Sequence, residues 1–239
     1  HCQCRRQRQM CIRDRSYYVY AFLYLPESCL ALPKGMEREV ELISYQNIAA
    51  VAEANVHITE IQETEEKLLQ AVLTHDRVVK EIFRQTSILP LRFGNAFTTV
   101  ENIINDLQNN QQKYLRVLNK LKQQAEYTVT FTPVSIPSTL EISEVRGKAY
   151  LLAKKQQFQK QQAFQTEQNQ QWGNICQLIL KNYPKAVFKD STEEKTKQVH
   201  LLANRDSEFI NNQELLSWQT ECSYWQITVS EQLPPYHFV

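Results

Sequence analysis

Imidazole chemistry in this chain would have to come from five histidines, His1, His57, His75, His200 and His237. None of them has a partner at metal-ligand spacing. The six cysteines are scattered apart from Cys2 and Cys4, whose spacing suits no zinc site. Four glycines are too few for a glycine-rich phosphate-binding loop. No acid, base, nucleophile or metal cluster emerges, so the residues point to a protein that works by binding, without cofactor or metal. Two side chains still need an account. His75 falls on an apolar helical stripe, which reads as a core histidine with a satisfied hydrogen bond rather than a ligand or catalyst. Arg92 alternates with Leu91 and Phe93, so it is either an exposed recognition residue or a buried clamp on a carboxylate such as Asp76 or Glu126, the clamp being preferred.

The elements that position these residues lie between Leu68 and Phe97. Leu68, Val72, His75, Val79 and Ile82 recur at three- and four-residue steps, the stripe of a helix packed on one face. After Ser87 the period changes. The run from Ile88 to Phe93 reads as a short strand that Pro90 restricts to an edge and Gly94 ends.

The 239 residues allow one large domain or two small ones, and two is the expectation. Hydrophobic content of 42% with 22% charged residues is ordinary for a folded globule. Residues 1–15 break from this composition, holding five arginines against Asp14 and three of the cysteines. They read as an appended or disordered leader outside the fold. The rest carries 22 Lys and Arg against 25 Asp and Glu, a mildly acidic body unsuited to nucleic acid. No apolar run approaches the ~20 residues of a membrane-spanning helix. Scattered thiols suit a cytoplasmic protein.

Strands are expected at Tyr17–Leu25, Glu39–Ser44 and Ile48–Ala54, the last two forming a hairpin. The acidic run Glu60–Glu66 opens the helix that carries His75. Thr98-Thr99-Val100-Glu101 has capping-box spacing for a second helix, which the polar stretch Gln108–Lys113 is expected to kink. The domain boundary falls near Gln124, dividing an N-terminal α/β domain (16–124) from a C-terminal one (125–239). There a strand at Ala125–Thr132 precedes a long helix, roughly Ser143 to Asn182, that would span ~60 Å and must break or protrude. Strands at Ala186–Lys189 and Gln198–Ala203, a helix at Ser207–Gln219 and a strand at Ser223–Val229 complete the order βαββαβ, the ferredoxin-like arrangement. Its sheet lacks the Lys/Arg-Gly-Phe/Tyr segment of an RNA-binding face. The tail Pro234-Pro235-Tyr236-His237-Phe238 is either a strap packed on the body or an extended ligand for another protein.

Several of these blocks together resemble the GvpF/GvpL family of gas vesicle proteins. They are Tyr18-Val19-Tyr20-Ala21, His75-Asp76-Arg77-Val78-Val79, Leu89-Pro90-Leu91-Arg92-Phe93-Gly94, Gly147-Lys148-Ala149-Tyr150-Leu151-Leu152 and the tail. The family's tail often reads Gly-Pro-Trp-Pro-Pro-Tyr-Ser-Phe. Here Glu231-Gln232-Leu233 precede the prolines, so no role of that Trp carries over. The resemblance implies two α/β domains and an accessory, non-enzymatic protein of the cytoplasm and the gas vesicle. It further implies contact with the hydrophobic shell protein GvpA and other gas vesicle proteins during assembly. Leu91, Arg92, Phe93, Tyr236 and Phe238 are the expected partner-binding residues; His75, Pro90, Gly94, Gly147, Tyr150 and Pro235 are expected to hold structure. A ferredoxin-like small-molecule or enzymatic module is the alternative.

Overall fold

The first strand is too apolar to have a wet face, and the chain buries it whole. In the computed structural model, which describes residues 16–135, 147–190, 195–205 and 212–239, strand β1 (Tyr17–Tyr24) has Tyr18 through Leu23 buried. It sits inside an antiparallel sheet of order β2-β3-β1-β4, formed with β2 (Glu41–Tyr45), β3 (Ile48–Ala54) and β4 (Ile88–Pro90). The two-residue β5 (Ala96–Phe97) also pairs with β1, opposite Tyr17 and Tyr18. Between Val19 and Ala21 the β1–β3 register slips by one residue. Such a bulge re-aims the side chain at the slip, here Tyr20.

Three helices accompany this sheet: α1 (Ile58–Ile61), α2 (Glu65–Gln85) and α3 (Val100–Leu121). Thr64 caps α2 by accepting a hydrogen bond from the Lys67 N–H. Its buried residues are Ala71, His75, Val78, Val79, Ile82 and Phe83. The expected stripe therefore begins three residues late. Leu68 and Val72 share the His75 face by periodicity but are 37% and 39% exposed, because the first turns of α2 find no cover. The cap of α3 is Thr99, which accepts from the Asn102 N–H, and not Thr98 as the capping-box spacing suggests. The helix is unbroken across the polar stretch. Asp106 accepts from the Asn110 amide at 2.9 Å and the Tyr114 hydroxyl at 2.9 Å, so the polar stretch bonds within its own helix. Gln111 also reaches Gln46 and Asn47 in the β2–β3 turn.

The second sheet has the order β7-β8-β6-β9, from β6 (Gln124–Pro133), β7 (Val187–Asp190), β8 (Lys197–Asn204) and β9 (Trp225–Val229). Numbered within the repeat this is 2-3-1-4, the ferredoxin-like order, and β6–β9 and β7–β8 are antiparallel. Helices α4 (Lys148–Asn182) and α5 (Asn212–Glu221) supply its helical layer. Val129, Phe131, Ile175, Ile179, Val199, Leu201, Trp218 and Ile227 form its core. Burying each such side chain contributes about 1.5–3 kcal/mol. The glutamines of α4 are part of the structure. Gln168 donates to the Tyr224 carbonyl at 3.0 Å, and Gln171 accepts from the Tyr224 N–H at 3.0 Å, gripping the chain as it enters β9.

The chain divides into two units, one running to Glu126 and including Gln232–Val239, the other Tyr127–Glu231. The tail, counted from sequence with the second domain, groups with the first. Residues 1–15, the start expected for the long helix at Ser143 and that of the next at Ser207 lie outside the described residues.

Candidate functional site

The sequence blocks singled out in the first unit converge on one cluster. Tyr18 from β1 places its hydroxyl 2.8 Å from His75 Nδ1, and the Gly94 N–H donates to the same hydroxyl at 3.1 Å. His75 Nε2 lies 3.0 Å from the Leu91 carbonyl. A carbonyl can only accept, so Nε2 carries the proton, Nδ1 accepts, and the Tyr18 O–H is its donor. One relay runs from Gly94 through Tyr18 and His75 to Leu91. Burial lowers the His75 pKa and raises that of Tyr18, holding both neutral. Around the imidazole, Tyr20 stacks at 5.4 Å and Phe93 meets it edge-on at 5.8 Å.

This geometry explains why the 88–93 run is not one strand. β4 ends at Pro90; Leu91 still donates to the Tyr20 carbonyl, but its own carbonyl turns to His75. Gly94, at φ 102°, occupies a conformation that side chains rarely adopt, and this presents its N–H to Tyr18. Side chains thus replace the ladder.

A second polar group in this unit escaped the sequence reading. Glu53, fully buried on β3, accepts from the Tyr20 hydroxyl at 2.5 Å and from the N–H groups of Met36, Glu37 and Arg38 at 2.6–2.8 Å. It fastens the loop before β2. Gly35 leaves room there, since a Cβ would run into the Glu53 carboxylate. The signal was an acid inside the apolar strand Ile48–Ala54.

Arg92 is exposed and makes no ion pair among the described residues. The expected clamp does not form. Asp76 pairs with Lys80 at 2.7 Å, and Glu126 with His237 Nδ1 at 2.7 Å. Leu91 and Phe93 are half-buried. The tail is a strap: Leu233 exchanges both backbone hydrogen bonds with Glu126, Pro234 and Pro235 are buried, and the His237 N–H donates to Glu126. Tyr236 and Phe238 are half-buried, and burial raises the Tyr236 pKa. In the second unit Gly147 caps α4, while Tyr150 lies exposed beneath the Lys154 ammonium. A cleft of ≈ 390 Å³ beside α2 is lined by Glu37, Glu60, Glu66 and Lys67 over Met36, Ile61 and Ala71.

The sequence model of the family described as gas vesicle synthesis protein GvpL/GvpF matches residues 16–239. The chain belongs to the GvpL/GvpF family. Two crystal structures share its fold. The gas vesicle protein GvpF from Anabaena sp. PCC7120 has a TM-score of 0.65 at 16% identity, over 94% of this chain and 95% of that one. GvpF from Microcystis aeruginosa gives 0.64 at 14% identity, over 93% and 98%. No curated protein sequence matches. As a GvpL/GvpF protein, the chain has its β1, α2 and 89–94 blocks meeting in one buried cluster, and no described helix is long and apolar enough to cross a membrane.

Proposed function

We propose that this GvpL/GvpF chain binds the hydrophobic gas vesicle shell protein GvpA and shields it from aggregation while vesicles nucleate and grow. It acts in the cytoplasm and at the gas vesicle, by association rather than turnover. The family match over residues 16–239 carries the reading. The structure supports it at one place, the segment that leaves edge strand β4, where exposed Arg92 stands between half-buried Leu91 and Phe93. β4 itself is buried along its length, so a partner would meet the side chains that follow it, Leu91, Arg92 and Phe93, as an apolar helix laid against them does. Tyr236 and Phe238 of the strap are further candidates for that contact. The polar atoms of the Tyr18–His75 cluster already bond to one another, which favours support of this surface over catalysis.

The test is light scattering of GvpA brought out of denaturant with and without this protein. Scattering suppressed at near-stoichiometric ratio, but not by an unrelated acidic protein, is the expected result. Unchanged scattering would contradict the proposal. If small-molecule screening instead found a ligand that raises the melting temperature by several degrees, the ferredoxin-like sensing or enzymatic reading would replace it.

A further inference from the structure

We propose that this chain associates with a second copy of itself, the free N-terminal half of α4 in one copy docking on the first turns of α2 in the other. Two surfaces that no described residue covers carry the inference. On α2, Leu68, Leu69, Val72 and Leu73 are 37–57% exposed, in two adjacent pairs four residues apart. Glu65 and Glu66 border them one turn earlier, following exposed Glu60 and Glu63. Lys67 is the cation of this stretch, and it is already bonded to Glu63 at 2.9 Å. The patch is therefore apolar with an acidic border.

On α4, no residue from Lys148 to Thr166 is fully buried, although the helix is continuous there. Most helical stability in proteins comes from packing rather than propensity, so this half gains from a partner. Leu151, Leu152 and Phe158 are 61–65% exposed. Leu151 and Phe158 are seven residues apart and so lie on one face, with Lys155 between them and Lys148 and Lys154 alongside. Lys148 to Thr166 contains four lysines and no acid. Leu151 and Phe158 are ~10 Å apart along their helix, and Leu68 to Leu73 spans ~8 Å of the other, so the apolar stretches match in length. Both surfaces present apolar groups, and each supplies the charge that the other lacks. Because the contact joins two different surfaces, it leaves both ends open and repeats head to tail, as a ring or a chain of copies.

Sedimentation velocity over a range of protein and salt concentrations tests the proposal with the full chain. Wild type should sediment faster as concentration rises, and added salt should reverse this by screening the Lys–Glu pairs. Lys154→Glu with Lys155→Glu cancels the positive charge of the α4 surface; Glu65→Lys with Glu66→Lys turns the α2 border from acidic to basic. Each variant alone should associate about tenfold more weakly or worse, and an equimolar mixture should recover association, since each then meets its complement. Leu69→Gln with Leu73→Gln leaves the charges in place and should also weaken association; circular dichroism confirms that each variant keeps its helices. Wild type that stays monomeric throughout, variants that associate as wild type does, or a mixture no better than its components would overturn the proposal.

Discussion

His75 is held neutral by burial, against the Leu91 carbonyl and Asp76, which both favour its protonated form, and this makes it sensitive in two ways. His75→Asp buries a charge among apolar neighbours, leaves the Leu91 carbonyl without its Nε2–H donor, and should destabilise the protein by about 2 kcal/mol or more. Urea unfolding would measure it. The second sensitivity is to acid. The pKa of His75 lies below its ordinary value of 6.5, so below about pH 6.5 the unfolded chain binds a proton that the folded chain refuses. This contribution to stability is present above that pH and is lost as pH falls towards the depressed folded value; His75→Gln should flatten that part of the melting-temperature profile. Glu53 gives a third test. Gly35→Ala drives a methyl group into the carboxylate that three backbone N–H groups share, so a loss of about 2–3 kcal/mol is expected. Stability unchanged to within a few tenths would show that the loop moves away freely.

Among the elements, the tail strap makes the clearest commitment. Its prolines are buried, it bridges to β6 at Glu126, and His237 satisfies that buried carboxylate. Removing residues 234–239 should lower the melting temperature by roughly 5 °C or more, since about 1 kcal/mol corresponds to 2–4 °C in a chain of this size. A shift of under a degree would mean that the strap is not held. The strands and long helices were legible because alternation and the three-to-four-residue period are local properties of the chain. So was the face of His75. Three things were not. A bulge at Tyr20 leaves no mark in an all-apolar strand. The overhang of Leu68 and Val72 depends on how far the neighbouring elements extend, which periodicity does not encode. The partners of Glu53 and Glu126 lie 15–33 and 111 residues away, so an acid in an apolar strand signalled only that some partner existed. Arg92 failed for the same reason: Asp76 and Glu126 were plausible acceptors, and nearer or better-placed bases took them.

At the scale of the whole molecule, two α/β units of one GvpL/GvpF chain present apolar groups at their surfaces, while the Tyr18–His75 and Glu53 clusters of the first are bonded internally. That distribution suits a protein whose work is association with a hydrophobic subunit. Arg92 allows this to be tested with little disturbance to the fold, because it is exposed and unpaired among the described residues. Phe93→Asp is less informative, since Phe93 packs against Tyr18 and His75 and its loss would loosen the cluster. The most direct measurement is a pull-down of the purified chain against the shell protein GvpA beside an unrelated hydrophobic protein, repeated with Arg92→Glu after circular dichroism has shown its fold intact. Capture of GvpA alone, reduced by Arg92→Glu, is the result expected here; equal capture of both proteins, or capture of neither, would contradict the account.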